Sequence, residues 1–154
     1  YATISKFMLI WAHGLWGSPN GSKVTAIRES GIEVLSPDFN NMELEERIEI
    51  LNKLVSNEEV ILAGSSYGGL ACALVAQQNP EQIKGMLLLA PALHLPEHPN
   101  DKPEKLTAPT NFPITIIHST TDEIVPISAS CITASGNALR QPKTKASATL
   151  AIKR

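Results

Sequence analysis

Residues 61–70 read ILAGSSYGGL and place two serines between glycines, after an apolar run and before an alanine-rich one. The middle of this stretch is a G-x-S-x-G pattern centred on Ser66 rather than Ser65. A residue on a sharp strand-to-helix turn needs near-absent side chains two positions away on each side, which Gly64 and Gly68 supply. The stretch therefore predicts a strand, a tight turn that presents the Ser66 hydroxyl, and a helix. The alternative is a glycine-rich turn around a buried serine.

The rest of the chain alternates apolar runs with helix-like stretches, which is typical of an α/β fold with a mostly parallel sheet flanked by helices. In the second predicted helix, Leu44, Ile48, Leu51 and Val55 recur at helical spacing, so one face is expected to be buried and the other to face solvent. The predicted strands cover residues 7–12, 33–36, 60–63, 85–90 and 113–118, and the predicted helices begin near Ser22 or cover 42–55 and 67–78.

Composition excludes several classes of protein. A net charge of −2 and 5% aromatic residues argue against binding to nucleic acid. The apolar stretch at residues 7–12 is too short to span a bilayer, so no membrane association is expected. Cys72 and Cys131 lie in unrelated contexts, which predicts neither a zinc site nor a disulfide framework and favours a cytoplasmic location.

A second motif, WAHGLWGSPNGSK, follows the first predicted strand at residues 11–23. The oxyanion of an acyl-transfer intermediate needs two backbone N–H donors, one from the residue after the nucleophile and one from a neighbouring loop. Tyr67 and Leu15 are the natural pair, and Trp16 is expected to wall the substrate pocket. Two alternatives are a strand-ending turn without a ligand and a phosphate loop, although the G-x-x-x-x-G-K-[ST] order is absent.

A third motif, FPITIIHSTTDEIVP, ends a strand at His118 and places Asp122 four residues later. A carboxylate at this point could orient an imidazole and stabilise its protonated form. The alternative is an ordinary loop carboxylate.

Three features resemble the α/β-hydrolase fold over residues 7 to about 130, in particular small serine esterases with little or no cap. In chain order they are His13-Gly14 after an early strand, the Ser66 turn, and the segment HSTTDEIVP at residues 118–126, which contains Asp122. The resemblance implies that Ser66 is the nucleophile and Asp122 the acid, with the oxyanion hole at Leu15 and Tyr67. It also implies a small-molecule acyl substrate and no metal or organic cofactor.

The four histidines depart from the family pattern, which puts the general base after the acid. No histidine follows His118 in these 154 residues. His13 and His118 are interpreted as structural residues. His94 and His98 have the spacing of a helical metal pair, but a proline between them argues against a helix, so we expect solvated loop histidines. Because none is a clear base, we expect impaired turnover.

The composition changes abruptly near the end of the chain. Residues 1–127 carry a net charge of −7, whereas residues 128–154 contain five basic residues, no acidic one and a net charge of +5. We therefore divide the chain into a hydrolase-like domain at 1–130 and an atypical basic tail at 131–154, expected to be disordered or the product of a shifted reading frame. The usual final strand and histidine loop would then be missing, and the exposed sheet edge would favour self-association.

The sequence leaves the function open between two classes. The first is a hydrolase of a small carboxylic ester, or related thioesterase, amidase or lactonase chemistry on the same fold. The second is a non-catalytic binding or interaction protein that keeps the pocket without the base, since fold alone does not separate these activities.

Overall fold

The structure is a computed structural model that describes residues 7–93, 106, 111–131 and 148–151. Its strands join into one six-stranded sheet in the order β2-β1-β3-β4-β5-β6, in which the first five strands run parallel. The strands are β1 (Met8–Ala12), β2 (Val34–Leu35), β3 (Val60–Ser65), β4 (Ile83–Leu89), β5 (Ile114–His118) and β6 (Ala148–Ala151). The helices are α1 (Ser22–Glu29), α2 (Leu44–Val55) and α3 (Tyr67–Gln78), followed by a 3₁₀ helix at Ile127–Cys131.

The helices cover both faces of the sheet because successive strand residues point to opposite sides. In β1, Ile10 belongs to the core that packs against α2 and α3, whereas Trp11 belongs to a separate core against α1. In β3, Leu62 and Ala63 divide in the same way. The result is the three-layer α/β arrangement that the sequence predicts.

The predicted elements agree with the observed ones to within two residues at each end. The helix predicted over residues 67–78 coincides with α3, and the one predicted over 42–55 begins two residues later at Leu44. The fourth strand begins at Ile83 rather than residue 85, because Ile83 pairs with Val60 across a local register shift. In the described part of the chain, no helix has the length and apolarity needed to cross a bilayer.

The tail contributes one element to the sheet that the sequence analysis does not predict. Residues 148–151 form β6, which pairs antiparallel with β5 from Thr115↔Ala151 to His118↔Ala148. This pairing needs only backbone groups along an open strand edge, so the weak apolar pattern of the tail gives little warning of it. Most of the remaining tail lies outside the described residues, as do residues 94–105 and 107–110. Self-association through a sheet edge stays a prediction.

Glycines bring the start of α3 into direct contact with the ends of β1 and β3. A Cβ on Gly68 would overlap the carbonyl oxygen of Ala12 and lie 2.5 Å from that of His13. A Cβ on Gly64 would lie 2.8 Å from the carbonyl oxygen of Gly68. These are the two glycines of the G-x-S-x-G pattern, and both sites lack the space for a side chain. Their absence of a Cβ is what lets the turn at Ser66 close.

We expect Gly68→Ala to reduce the free energy of unfolding by about 2–4 kcal/mol, because rigid backbone carbonyls occupy the space of the added methyl. Gly85→Ala in β4 is the matched control, since its Cβ would meet nothing nearer than 3.8 Å. There we expect no loss, or a gain of about 0.4–1 kcal/mol from reduced entropy of the unfolded chain. Urea unfolding of both variants measures the difference, and equal stabilities would contradict this account of the turn.

Candidate active site

Ser66 occupies the turn between β3 and α3 with φ 52° and ψ −119°, a backbone conformation that non-glycine residues rarely adopt. Three backbone hydrogen bonds hold it there. Its N–H donates to Leu89 O at 3.0 Å, and its carbonyl oxygen accepts from Leu70 N–H at 3.1 Å and Ala92 N–H at 2.9 Å. The side chain is partly exposed at the N-terminus of α3. A strained serine at a strand-to-helix turn is the arrangement that presents a nucleophile in an acyl-transfer site.

The loop after β1 passes beside Ser66. A Cβ on Gly14 would lie 3.4 Å from Ser66 Cβ, so the glycine allows a close approach of this loop to the turn. Leu15 follows it with half of its surface exposed. Trp16 is 86% exposed and lines a cleft of about 360 Å³ together with Ser65 and residues from the start of α1. The two loops that the sequence assigns to an oxyanion hole are therefore neighbours.

The buried His13 ring fixes the direction of this loop. Its Nε2 accepts a hydrogen bond from Phe39 N–H at 2.9 Å, so the proton of the neutral ring lies on Nδ1, which donates to Gly14 O at 2.8 Å. Gly17 N–H donates to the same Gly14 oxygen at 3.1 Å. In a trans peptide the N–H points opposite to the C=O, so these bonds also set where Leu15 N–H points. His13 acts here as a structural residue.

Arg47 is a central residue of this region that the sequence analysis missed. It lies on α2 with 1% of its surface exposed and donates to the carbonyl oxygens of His13, Phe39 and Met42. Its guanidinium carbon also lies 4.9 Å from the centre of the Tyr67 ring. A signal was present, because Arg47 comes three residues after Leu44 and falls inside the apolar stripe of α2.

Asp122 lies in the loop after β5 and is held by backbone groups. Its Oδ1 accepts hydrogen bonds from Val125 N–H at 2.9 Å and Ile124 N–H at 3.0 Å. The bond from Val125 is the main reason why the pKa of this carboxyl lies below its usual value, with help from Ile124 and His118 and opposition from partial burial. Asp122 Oδ2 is 3.8 Å from His118 Nε2, which is too long for a hydrogen bond. The carboxylate is therefore charged and fixed in orientation.

His118 is buried and has both ring nitrogens occupied. Nε2 lies 2.8 Å from the carbonyl oxygen of Val125, to which it must donate. Nδ1 lies 2.5 Å from Ser130 Oγ, so the neutral ring accepts the hydroxyl proton of Ser130. No lone pair remains with which the ring could take a proton from Ser66. His118 connects the end of β5 to the Asp122 loop and to the 3₁₀ helix. No pattern in the sequence predicts its partner Ser130.

Ser66 and Asp122 follow the carboxyl ends of β3 and β5, which are separated by β4 alone. Neighbouring strands are about 4.8 Å apart, so the two loops start about 10 Å from each other on the same edge of the sheet. His94 and His98 lie outside the described residues. Within the described part, no three His, Cys, Asp or Glu side chains form a cluster suited to a metal ion.

The lowered pKa of Asp122 predicts a pH-dependent contribution to stability. A carboxyl whose folded pKa is depressed stabilises the fold above its unfolded pKa of about 3.9 and loses that effect as the pH falls through the folded pKa. Asp122→Asn keeps an acceptor oxygen for Val125 and Ile124 but removes the charge. We expect wild type to exceed this variant in free energy of unfolding at pH 7 and the difference to shrink below about pH 4. Urea unfolding at several pH values measures it, and a difference independent of pH would contradict the assignment.

Comparison with known proteins agrees with this architecture. Residues 17–110 match the family model of the alpha/beta hydrolase fold. A protein from Xanthomonas campestris pv. campestris that is assigned to the alpha/beta hydrolase superfamily superposes with a TM-score of 0.64 and 26% identity over 83% of this chain and 78% of that one. Est1E from Butyrivibrio proteoclasticus superposes with a TM-score of 0.66 and 22% identity over 81% of this chain and 72% of its own.

A second similarity covers a shorter stretch of the sequence. Over 59 residues, or 36% of this chain, the sequence is 46% identical to alpha-hydroxynitrile lyase from Arabidopsis thaliana. The match spans 23% of that protein's length. It supports common ancestry of the matched segment, while the family model covers well over half of the chain. The chain belongs to the alpha/beta hydrolase fold family.

Proposed function

We propose that this chain is a serine hydrolase that acts on a small carboxylic ester or related acyl compound. The observation that carries the proposal is the backbone of Ser66, which is held at φ 52° between β3 and α3 with Gly14 in close approach. A strained serine at this turn has no evident structural benefit, since such a conformation costs about 1–3 kcal/mol. Membership of a family rich in hydrolases supports the same conclusion.

In the proposed reaction, Ser66 Oγ attacks the carbonyl carbon of the substrate. The negative charge that develops on the carbonyl oxygen is stabilised by Leu15 N–H and Tyr67 N–H, which cost little to reorganise because they belong to fixed backbone. Collapse of the intermediate releases the alcohol, which takes up the proton lost by Ser66. Water then attacks the acyl-enzyme, and the carboxylic acid leaves as Ser66 regains its proton.

We further propose that proton transfer limits this 154-residue chain. Asp122 would orient a base histidine, but none follows it in the sequence. The two described histidines are committed elsewhere, since His13 Nε2 accepts from Phe39 and His118 Nδ1 accepts from Ser130. Loss of a triad member reduces turnover by about 10⁴- to 10⁶-fold in a serine protease, so slow acylation is expected here.

We propose a cytoplasmic location, which is supported by the low cysteine content and the burial of the free thiol of Cys72. The proposed partner is a small acyl compound bound near Trp16 and Tyr67, with no metal or organic cofactor involved.

We expect a fluorophosphonate probe to label wild type at Ser66 and Ser66→Ala not at all. Such a probe forms a covalent serine adduct that mimics the tetrahedral intermediate, so it needs the turn and the oxyanion hole together, and we expect the label to form slowly. Ser65→Ala is the matched control, because it removes a hydroxyl one residue away and should keep the label. Mass spectrometry of the labelled peptide locates the adduct. Equal labelling of wild type and Ser66→Ala would exclude the nucleophile.

We expect free imidazole to accelerate this labelling, because it supplies a general base where neither described histidine has a free lone pair. A positioned base contributes about 10²- to 10⁴-fold, so a diffusing one should give a smaller gain of about tenfold. The rate is measured against imidazole concentration at fixed pH, with Ser66→Ala as the blank. A rate that does not change with imidazole would contradict a limiting proton transfer.

The competing proposal is a binding protein that keeps the site without turnover. Saturable binding of an acyl compound that survives Ser66→Ala, with no labelling and no ester cleavage, would favour it. Cleavage of thioesters, amides or lactones in preference to esters would keep the nucleophile and change the substrate. Cleavage of alpha-hydroxynitriles would instead indicate a lyase, because such a substrate has no acyl carbon for Ser66 to attack. The match to a hydroxynitrile lyase is the reason to include the last of these substrates.

A further inference from the structure

The buried guanidinium of Arg47 has an unusual set of partners. Nη1 donates to His13 O at 2.8 Å, Nη2 to Phe39 O at 3.1 Å and Nε to Met42 O at 3.1 Å. All three acceptors are backbone carbonyl oxygens rather than carboxylates. Burial lowers the pKa of Arg47, which shows that the site opposes its charge. A buried cation is weak evidence for stability, since apolar replacements are often tolerated.

One side of the guanidinium acts on the loop after β1. It holds the carbonyl oxygens of His13 and Phe39, while Phe39 N–H holds the His13 ring. The His13 ring in turn fixes Gly14 O and with it the direction of Leu15 N–H. Arg47 therefore holds the backbone at both ends of the His13–Phe39 hydrogen bond. Without Arg47, the position of the His13 ring is no longer fixed, and neither is the direction of Leu15 N–H.

The flat face of the guanidinium lies over the ring of Tyr67, the first residue of α3. Its central carbon lies 4.9 Å from the centre of the Tyr67 ring, within the range of a cation–π contact. Tyr67 also packs with Leu44 and Ile48 of α2 around one apolar cluster. The Tyr67 side chain is thus held against α2 by its ring face and by apolar packing. Its backbone N–H belongs to the first residue of α3, next to Ser66.

We propose that Arg47 is the positioning residue of the oxyanion hole, in which one guanidinium sets both Leu15 N–H, through His13 and Phe39, and Tyr67 N–H, through its ring. This inference rests on the proposed function of those two amides. It assigns no contact with substrate to Arg47. A merely structural arginine would affect stability alone, whereas a positioning residue affects the geometry of the two loops at equal stability.

Two variants and one control separate these roles. Arg47→Met removes the charge and the hydrogen bonds at similar length, and Arg47→Lys keeps the charge but loses the planar fork that reaches three carbonyls. Val55→Ala is the control, since Val55 is fully buried two turns along α2 and belongs to the core rather than to the loops. Comparison is made at temperatures that give each variant the same free energy of unfolding.

The first measurement is hydrogen exchange of the Gly17 and Leu70 amides, which donate to Gly14 O and Ser66 O beside the two proposed donors and report on both loops without any activity. We expect it to increase at least about tenfold in Arg47→Met and less in Arg47→Lys, with no selective change in Val55→Ala. The second is the rate of phosphonate labelling, which should fall by about 10- to 100-fold in Arg47→Met, as expected for displaced donors. Where Arg47→Met does not fold, Arg47→Lys decides the question with the same two measurements.

Exchange and labelling in the Arg47 variants that match Val55→Ala would overturn the inference. The proposed function fails separately, through absence of Ser66 labelling in wild type. In that case the exchange data alone decide whether Arg47 positions the two loops.

Discussion

The contact between Gly68 and the carbonyl groups of Ala12 and His13 is the constraint on which the site depends. It presses the first turn of α3 against the end of β1 with no space for a Cβ. Close-packed backbone of this kind has no slack, because the atoms on both sides are held by sheet and helix hydrogen bonds. The turn at Ser66 and the loop at Gly14 therefore meet as a geometric consequence of one missing side chain.

The same His13 carbonyl oxygen accepts a hydrogen bond from Arg47 on its other side. One peptide group is thus fixed by van der Waals contact with Gly68 and by a charged donor from α2. Hydrogen bonds from a charged group contribute about 1.5–3 kcal/mol, enough to compensate for part of the desolvation of the guanidinium. The loop is rigid because three different elements, β1, α2 and α3, fix the position of a single residue.

Local patterns in the sequence were sufficient to predict the helices, the strand-turn-helix at Ser66 and the likeness to a hydrolase fold. These features depend on short-range spacing, such as the glycines two positions from Ser66 and the period of α2. The position of Arg47 in the apolar stripe of α2 indicates burial, but its role was missed because its partners are backbone carbonyls of residues 13, 39 and 42, which no sequence pattern identifies. The pairing of β6 with β5 was missed for the same reason, since it rests on backbone groups 30 or more residues apart.

In the two described histidines, structural hydrogen bonds use the ring nitrogens that a general base would need. An imidazole has one lone pair in its neutral form, and a general base must keep it free. His13 gives its lone pair to Phe39 N–H, and His118 gives its own to Ser130, in each case to fix a loop that carries a proposed site residue. The hydrogen bonds that fix the loop after β1 and the Asp122 loop thus occupy the lone pairs of both rings. In this chain, the backbone amides proposed to stabilise the transition state can therefore be in place although neither described histidine has a lone pair free to accept the proton of Ser66.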